Sequence, residues 1–303
     1  MSLFQDPHWP RASAWLAGDC LPHAIAALEI VGAPVAKGSI SPGRCDLAPA
    51  AIRKALERFS TYDLNTGRDL RLLRVHDAGD LAVAELTPEE AFAPIRTASL
   101  QSPAAVLLGG DNSITYPGVH RLGPDLARGG LLTLDAHFDL RDLDAGLTNG
   151  NPVRALLRDG LPGDHIFQIG LQSFANSEPY ASVAWEAGIQ VASADCVRDR
   201  GIDQVLGDAL AHLDQRVDHI YVDLDLDVLD RVYAPATPGA RPGGLAPHQV
   251  RRAAWLCGAH PKVRILDLVE IDPTRDIADA TVLTAAACLL EFASGVLDRL
   301  SRE

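Results

Sequence analysis

The sequence predicts an α/β protein with a mostly parallel sheet covered by helices on both faces. Three observations carry this reading: short apolar runs of strand length, longer segments of helical period between them, and turn residues bounding each run. Strands are expected near Arg71–His76 and at Ala104–Leu108, Leu131–Leu134, His165–Ile169, Ile189–Ala192, His219–Leu226 and Val263–Glu270. The intervening helices are expected at Pro49–Phe59, Thr87–Ser99, Pro152–Arg158, Ile202–Leu213, Pro247–Cys257 and Asp279–Leu300. Thr87 ahead of Glu89 and Glu90, and Asp279 ahead of Thr281, read as helix starts, where early acidic residues suit the positive end of the helix. No linker, internal repeat or low-complexity tract interrupts the alternation, so a single domain over residues 1–303 is expected.

Composition narrows the function. With 27 Lys and Arg against 40 Asp and Glu, the net charge of −13 and the presence of only three lysines exclude a basic face for nucleic acid. The chain is 47% hydrophobic and 22% charged, as in soluble globular proteins. Met1–Ser13 has no apolar run and so no legible signal peptide, and Val282–Leu297, broken by Glu291, falls short of a membrane span and reads as a buried helix. Five widely spaced cysteines without a CxxC pair point to free thiols in a reducing cytoplasm.

Sites in parallel sheets form beyond the carboxyl ends of strands, and four apolar runs here end in polar residues of one kind. Leu131–Leu134 leads into Asp135-Ala136-His137-Phe138-Asp139, and an extended chain would set Asp135, His137 and Asp139 on one side. Asp223, Asp225 and Asp227 repeat the device on the run that begins at His219. Unpaired carboxylates buried on a strand cost several kcal/mol each, so a cation is expected among them. Carboxylate and imidazole donors suit Mn, Zn, Fe or Ni about equally, and so rich a donor set suits two ions ~3.5–4 Å apart. Gly109-Gly110-Asp111-Asn112-Ser113 adds an amide, and Val269–Pro273 adds Glu270 and Asp272. Taken singly, each motif has an ordinary structural reading: solvated strand ends, a turn, or a salt bridge of Glu270 with Arg264 or Arg275.

In order along the chain, GGDN at Gly109–Asn112, DAHFD at Asp135–Asp139, DLDVLD at Asp225–Asp230 and VEIDP at Val269–Pro273 resemble the ureohydrolase family of arginase, agmatinase and formimidoylglutamase. The resemblance implies a three-layer α/β/α fold with about eight strands and a binuclear Mn²⁺ centre at the carboxyl edge. It further implies that Asp135 and Asp225 bridge the ions, that Asn112 and Asp139 complete the first site, and that His137 and Asp227 complete the second. Asn112 stands where most of the family has a His, so the first site is expected to hold its ion weakly. Asn149 stands where arginase has a His, which argues against arginase activity. These departures, with Arg141-Asp142 and the segment Gln172–Ser177, resemble the bacterial formimidoylglutamase branch.

Arg141 and Arg154 near an acidic site suit a dianionic substrate such as a glutamate derivative, because guanidinium pairs with carboxylate in bidentate fashion. The plain alternative pairs Arg141 with Asp142 or Asp144. The reaction expected is hydrolysis of the C–N bond of N-formimidoyl-L-glutamate to glutamate and formamide, in a cytoplasmic homo-oligomer without nucleic-acid or membrane partners. Glu270 would pair with the amidinium, Asp139 would carry a proton to the leaving nitrogen, and Asn149 would help bind the substrate. Two rivals stay open: the same chemistry on a guanidino compound, releasing urea, and a metal-deficient binding protein.

Overall fold

In the computed structural model, which describes residues 6–98 and 102–302, eight strands lie side by side in one parallel sheet. The strands in chain order are β1 (Ile25–Ala33), β2 (Tyr62–Asp63), β3 (Arg68–Asp69), β4 (Leu73–Asp80), β5 (Ala104–Gly109), β6 (Gly129–Leu134), β7 (Ile166–Leu171), β8 (Gln190–Ser193), β9 (His219–Asp225) and β10 (Val263–Val269). Across the sheet the order is β4-β1-β5-β10-β9-β6-β7-β8, while β2 and β3 form a separate antiparallel pair. The chain crosses from β5 to β6 and later returns to lay β10 and β9 between them. The four central strands therefore end side by side at one edge, where a crevice opens.

Alternation along each strand feeds two cores. Ala104, Val106 and Leu108 of β5 join the cluster with Ile220, Val222 and Leu224 of β9, whereas Ala105 and Leu107 pack on the opposite face with Tyr221 and Ile265. This buried two-sided packing explains why parallel strands read as unbroken apolar runs. The C-terminal helix Ala280–Leu300 is long and apolar enough to cross a membrane by length and composition, yet it buries its length in the fold and packs on the helix Pro247–Ala259.

The expected elements differ in places. Strand β1 was not legible because Glu29 and Gly32 break its apolar run; Glu29 is nevertheless buried. The expected last strand stops at Val269 because Glu270 turns left-handed, with φ 64°. Strand β9 stops at Asp225, whose side chain accepts from the Asp227 N–H at 2.8 Å and starts a 3₁₀ turn. Thr87 caps its helix in a reciprocal pair with Glu90, but Asp279 makes no such bond. Asp276 instead accepts from the N–H groups of Thr281 and Val282. Ser99, the end of one expected helix, and Met1–Gln5 lie outside the described residues.

Candidate metal centre and substrate cleft

Strand β5 ends in a glycine pair because nothing larger fits: a Cβ on Gly110 would lie 1.7 Å from the Val35 carbonyl oxygen. The chain then turns, and Asn112 is buried with its N–H donating to Glu270 Oε1 at 2.8 Å. The segment after β6 does not continue extended, contrary to the period-two expectation. It curls, with Asp139 at φ 55°, and this turn is what brings Asp139 beside Asp135. Asn112 Nδ2 donates to Asp139 Oδ2, and His137 Nδ1 lies 2.9 Å from Asp227 Oδ2 and 3.5 Å from Asp135 Oδ1. Asp135, His137 and Asp227 thus present donor atoms within 4.8 Å of one another. Gly239 closes over them, and a Cβ there would fall 2.0 Å from Asp227 Oδ2.

Burial sets the electrostatics. It lifts Asp135 to about 6, with Asp227 adding to it, and raises Asp139 and Asp225 well above the ordinary carboxylate range, helped by Asp135 and Asp227 respectively. Burial opposes the Asp227 charge too, but His137 outweighs it and holds that carboxyl below its ordinary range. The imidazolium is in turn pushed up to about 12, chiefly by Asp227. Glu270 rises to about 8 through burial and then Asp111. Five buried acids share a single imidazolium among the described residues of the centre. Carboxylate, imidazole and amide donors crowded this closely fit divalent cations, which would replace the protons these groups otherwise retain.

The carboxylates floor a cavity of about 550 Å³ lined by His137, Asp139, Asp225, Asp227 and Glu270. Asn149 sits in its wall and donates from Nδ2 to Glu270 Oε1 at 2.9 Å. Arg141 lines the cavity, and among the described residues its guanidinium has no ion-pair partner, so the pairing with Asp142 or Asp144 does not form. Arg154 requires a correction: it donates to Asp142 Oδ1 at 2.9 Å and does not line the cavity. The second arginine at the cleft is Arg241, which sequence reasoning missed because it sits in a turn-rich loop outside any periodic segment. Its only legible signal was the PGG turn that follows it. Among the described residues Glu270 forms an ion pair with neither Arg264 nor Arg275, and Arg275 pairs instead with Asp272 at 3.2 Å.

The sequence matches the Arginase family model over residues 26–294. The chain belongs to the arginase family. Formimidoylglutamase of Halalkalibacterium halodurans is 37% identical over 274 residues, covering 88% of this chain and 86% of that one. The crystal structure of Bacillus subtilis formimidoylglutamase superposes with a TM-score of 0.89 at 30% identity, over 97% of this chain and 94% of that one. Formiminoglutamase of Trypanosoma cruzi, solved with Mn²⁺, has a TM-score of 0.85 at 23% identity, over 96% and 99% of the two chains, and shares the fold. In this arginase-family chain Asn112, Asp135, His137, Asp139, Asp225 and Asp227 gather at the edge formed by β5, β9 and β6.

Proposed function

We propose that this chain hydrolyses the C–N bond of N-formimidoyl-L-glutamate, giving glutamate and formamide, as its 37% identical relative is named for. The observation that carries the reading is the placement of Arg141 and Arg241 in one cleft with Glu270 and the acidic floor. Such a cleft takes a molecule that is anionic at one end and cationic at the other. The arginines would pair with the substrate carboxylates, and Glu270, once ionised, with the amidinium. A guanidino amine without carboxylates would offer neither arginine an anionic partner.

Asn112, Asp135, His137, Asp139, Asp225 and Asp227 would hold the manganese, since they crowd carboxylate, imidazole and amide donors together at the strand ends. Bound manganese supplies the Lewis acidity that makes water a nucleophile near neutral pH. The chain's own residues do the rest. Glu270 fixes the amidine carbon above the floor, and Asn149 and the Asn112 N–H keep its carboxylate in place. Asp139, buried at the floor, would take a proton from the attacking water and pass it to the departing nitrogen, so that glutamate leaves as the amine and the carbon keeps the water oxygen as formamide.

The decisive assay offers manganese-loaded protein formimidoylglutamate and agmatine side by side. Formamide from the first is expected; faster urea release from the second would overturn the assignment. We further place the protein in the cytoplasm, in histidine degradation, as a single catalytic domain; its five free thiols support the reducing compartment. Exposed Tyr62, Leu64, Val232 and Ile277 support a homo-oligomer, which sedimentation would test.

A further inference from the structure

Beneath Asn112 lies a buried polar chain that no step above uses. Thr115, Tyr221 and Asp267 are wholly buried. The Thr115 hydroxyl lies 2.7 Å from Asn112 Oδ1 and 2.7 Å from Asp267 Oδ2. Asp267 also accepts from the Tyr221 hydroxyl at 2.6 Å and from the Leu224 N–H at 3.1 Å. Thr115 has one proton and two acceptors within reach, so it can donate to only one of them at a time.

That single proton couples Asn112 to Asp267. When Thr115 donates to Asn112, the amide oxygen faces inward and the NH₂ group faces Asp139, as in the structure. When Thr115 donates to Asp267, its oxygen becomes an acceptor, and the amide can turn half a revolution so that its NH₂ bonds to Thr115. The amide oxygen then faces Asp139, where a cation would need it. Asn112 keeps a hydrogen bond to Thr115 in both arrangements, and the turn gives up only the Asn112 Nδ2–Asp139 bond, which a cation held between the amide oxygen and the carboxylate would replace.

We propose that Thr115, with Asp267 behind it, is a positioning residue that allows Asn112 to present its oxygen as a metal ligand. The inference rests on the manganese centre argued above. Replacing Thr115 with Val keeps the shape but removes both roles of the hydroxyl, so the amide NH₂ would lose its partner whenever the oxygen turned toward an ion.

Calorimetric titration of the metal-free protein with Mn²⁺ tests this. In Thr115→Val the weaker of the two sites should lose about 10-fold in affinity while the tighter site stays within ~2-fold, and Thr115→Ser should restore the weaker site. Thr115→Ala, with the same expected loss, serves if Val does not fold. An unchanged weaker site, an equal loss at both sites, or no rescue by Ser would overturn the proposal while leaving the manganese reading intact. A parent protein that binds no Mn²⁺ would overturn both.

Discussion

Asn149 and the Asn112 N–H donate to the same oxygen of Glu270, at 2.9 and 2.8 Å, although neither residue is near Glu270 in sequence. Burial and Asp111 push the Glu270 carboxyl up to about 8, and these two donors oppose that rise by favouring the charged form. Removing the side-chain donor should therefore raise the value further. Asn149→Ala is expected to lower kcat/KM by ~10–100-fold, the scale of a hydrogen bond to a charged group, and to move the acid limb of its pH profile upward. A profile that loses height without moving would show that Asn149 acts elsewhere.

Metal-free protein should lose stability as the pH rises. Asp135 and Glu270 hold protons in the folded state up to about 6 and about 8, and His137 up to about 12, each well above its ordinary value. Between pH 5 and 9 the native state thus binds more protons than the unfolded chain, and the linked slope of stability is negative. Thermal scans in chelator should show Tm falling across this range. Saturating Mn²⁺ should flatten or reverse the trend, because metal binding displaces those protons. A rising Tm in chelator would contradict the buried charge arrangement.

Arg141→Ala and Arg241→Ala should each reduce kcat/KM for formimidoylglutamate by ~10–100-fold while leaving manganese content unchanged, and Lys should recover only part of the loss. Arg154→Ala should leave kinetics unaltered, since its partner Asp142 is mostly exposed and such pairs contribute ~0–1 kcal/mol. Steady-state assays on the three variants distinguish the cleft arginines from the surface one.

Gly239→Ala would press a methyl group toward Asp227 Oδ2 and 3.2 Å from His137 Cε1. We expect loss of one manganese ion by metal analysis and a kcat at least ~100-fold lower, since a misplacement of about 1 Å has effects of that scale. The fold away from the loop should be unaffected.

The chemistry was legible because each central strand is an apolar run that ends on its functional residue. Asp135, Asp225 and Glu270 follow directly from where β6, β9 and β10 stop. What the residues could not convey was backbone direction. The left-handed turns at Asp139 and Glu270 carry no residue signature, since glycine or asparagine would be the usual choice there. Arg154 misled because its distance along the chain suited the cleft, whereas Asp142, on the loop facing it, captures the guanidinium. Strand β1 was hidden by a glutamate that the fold buries beside the sheet edge.

Those two left-handed residues imply that catalytic fitness and thermal robustness pull in opposite directions in this molecule. An acidic side chain at positive φ costs on the order of 1 kcal/mol, and Asp139 and Glu270 both incur that strain in addition to burying charge. Glycine at either position would relax the backbone and remove a buried acid. Selection for heat tolerance alone would accordingly drive this chain toward a sturdier protein that no longer turns over its substrate.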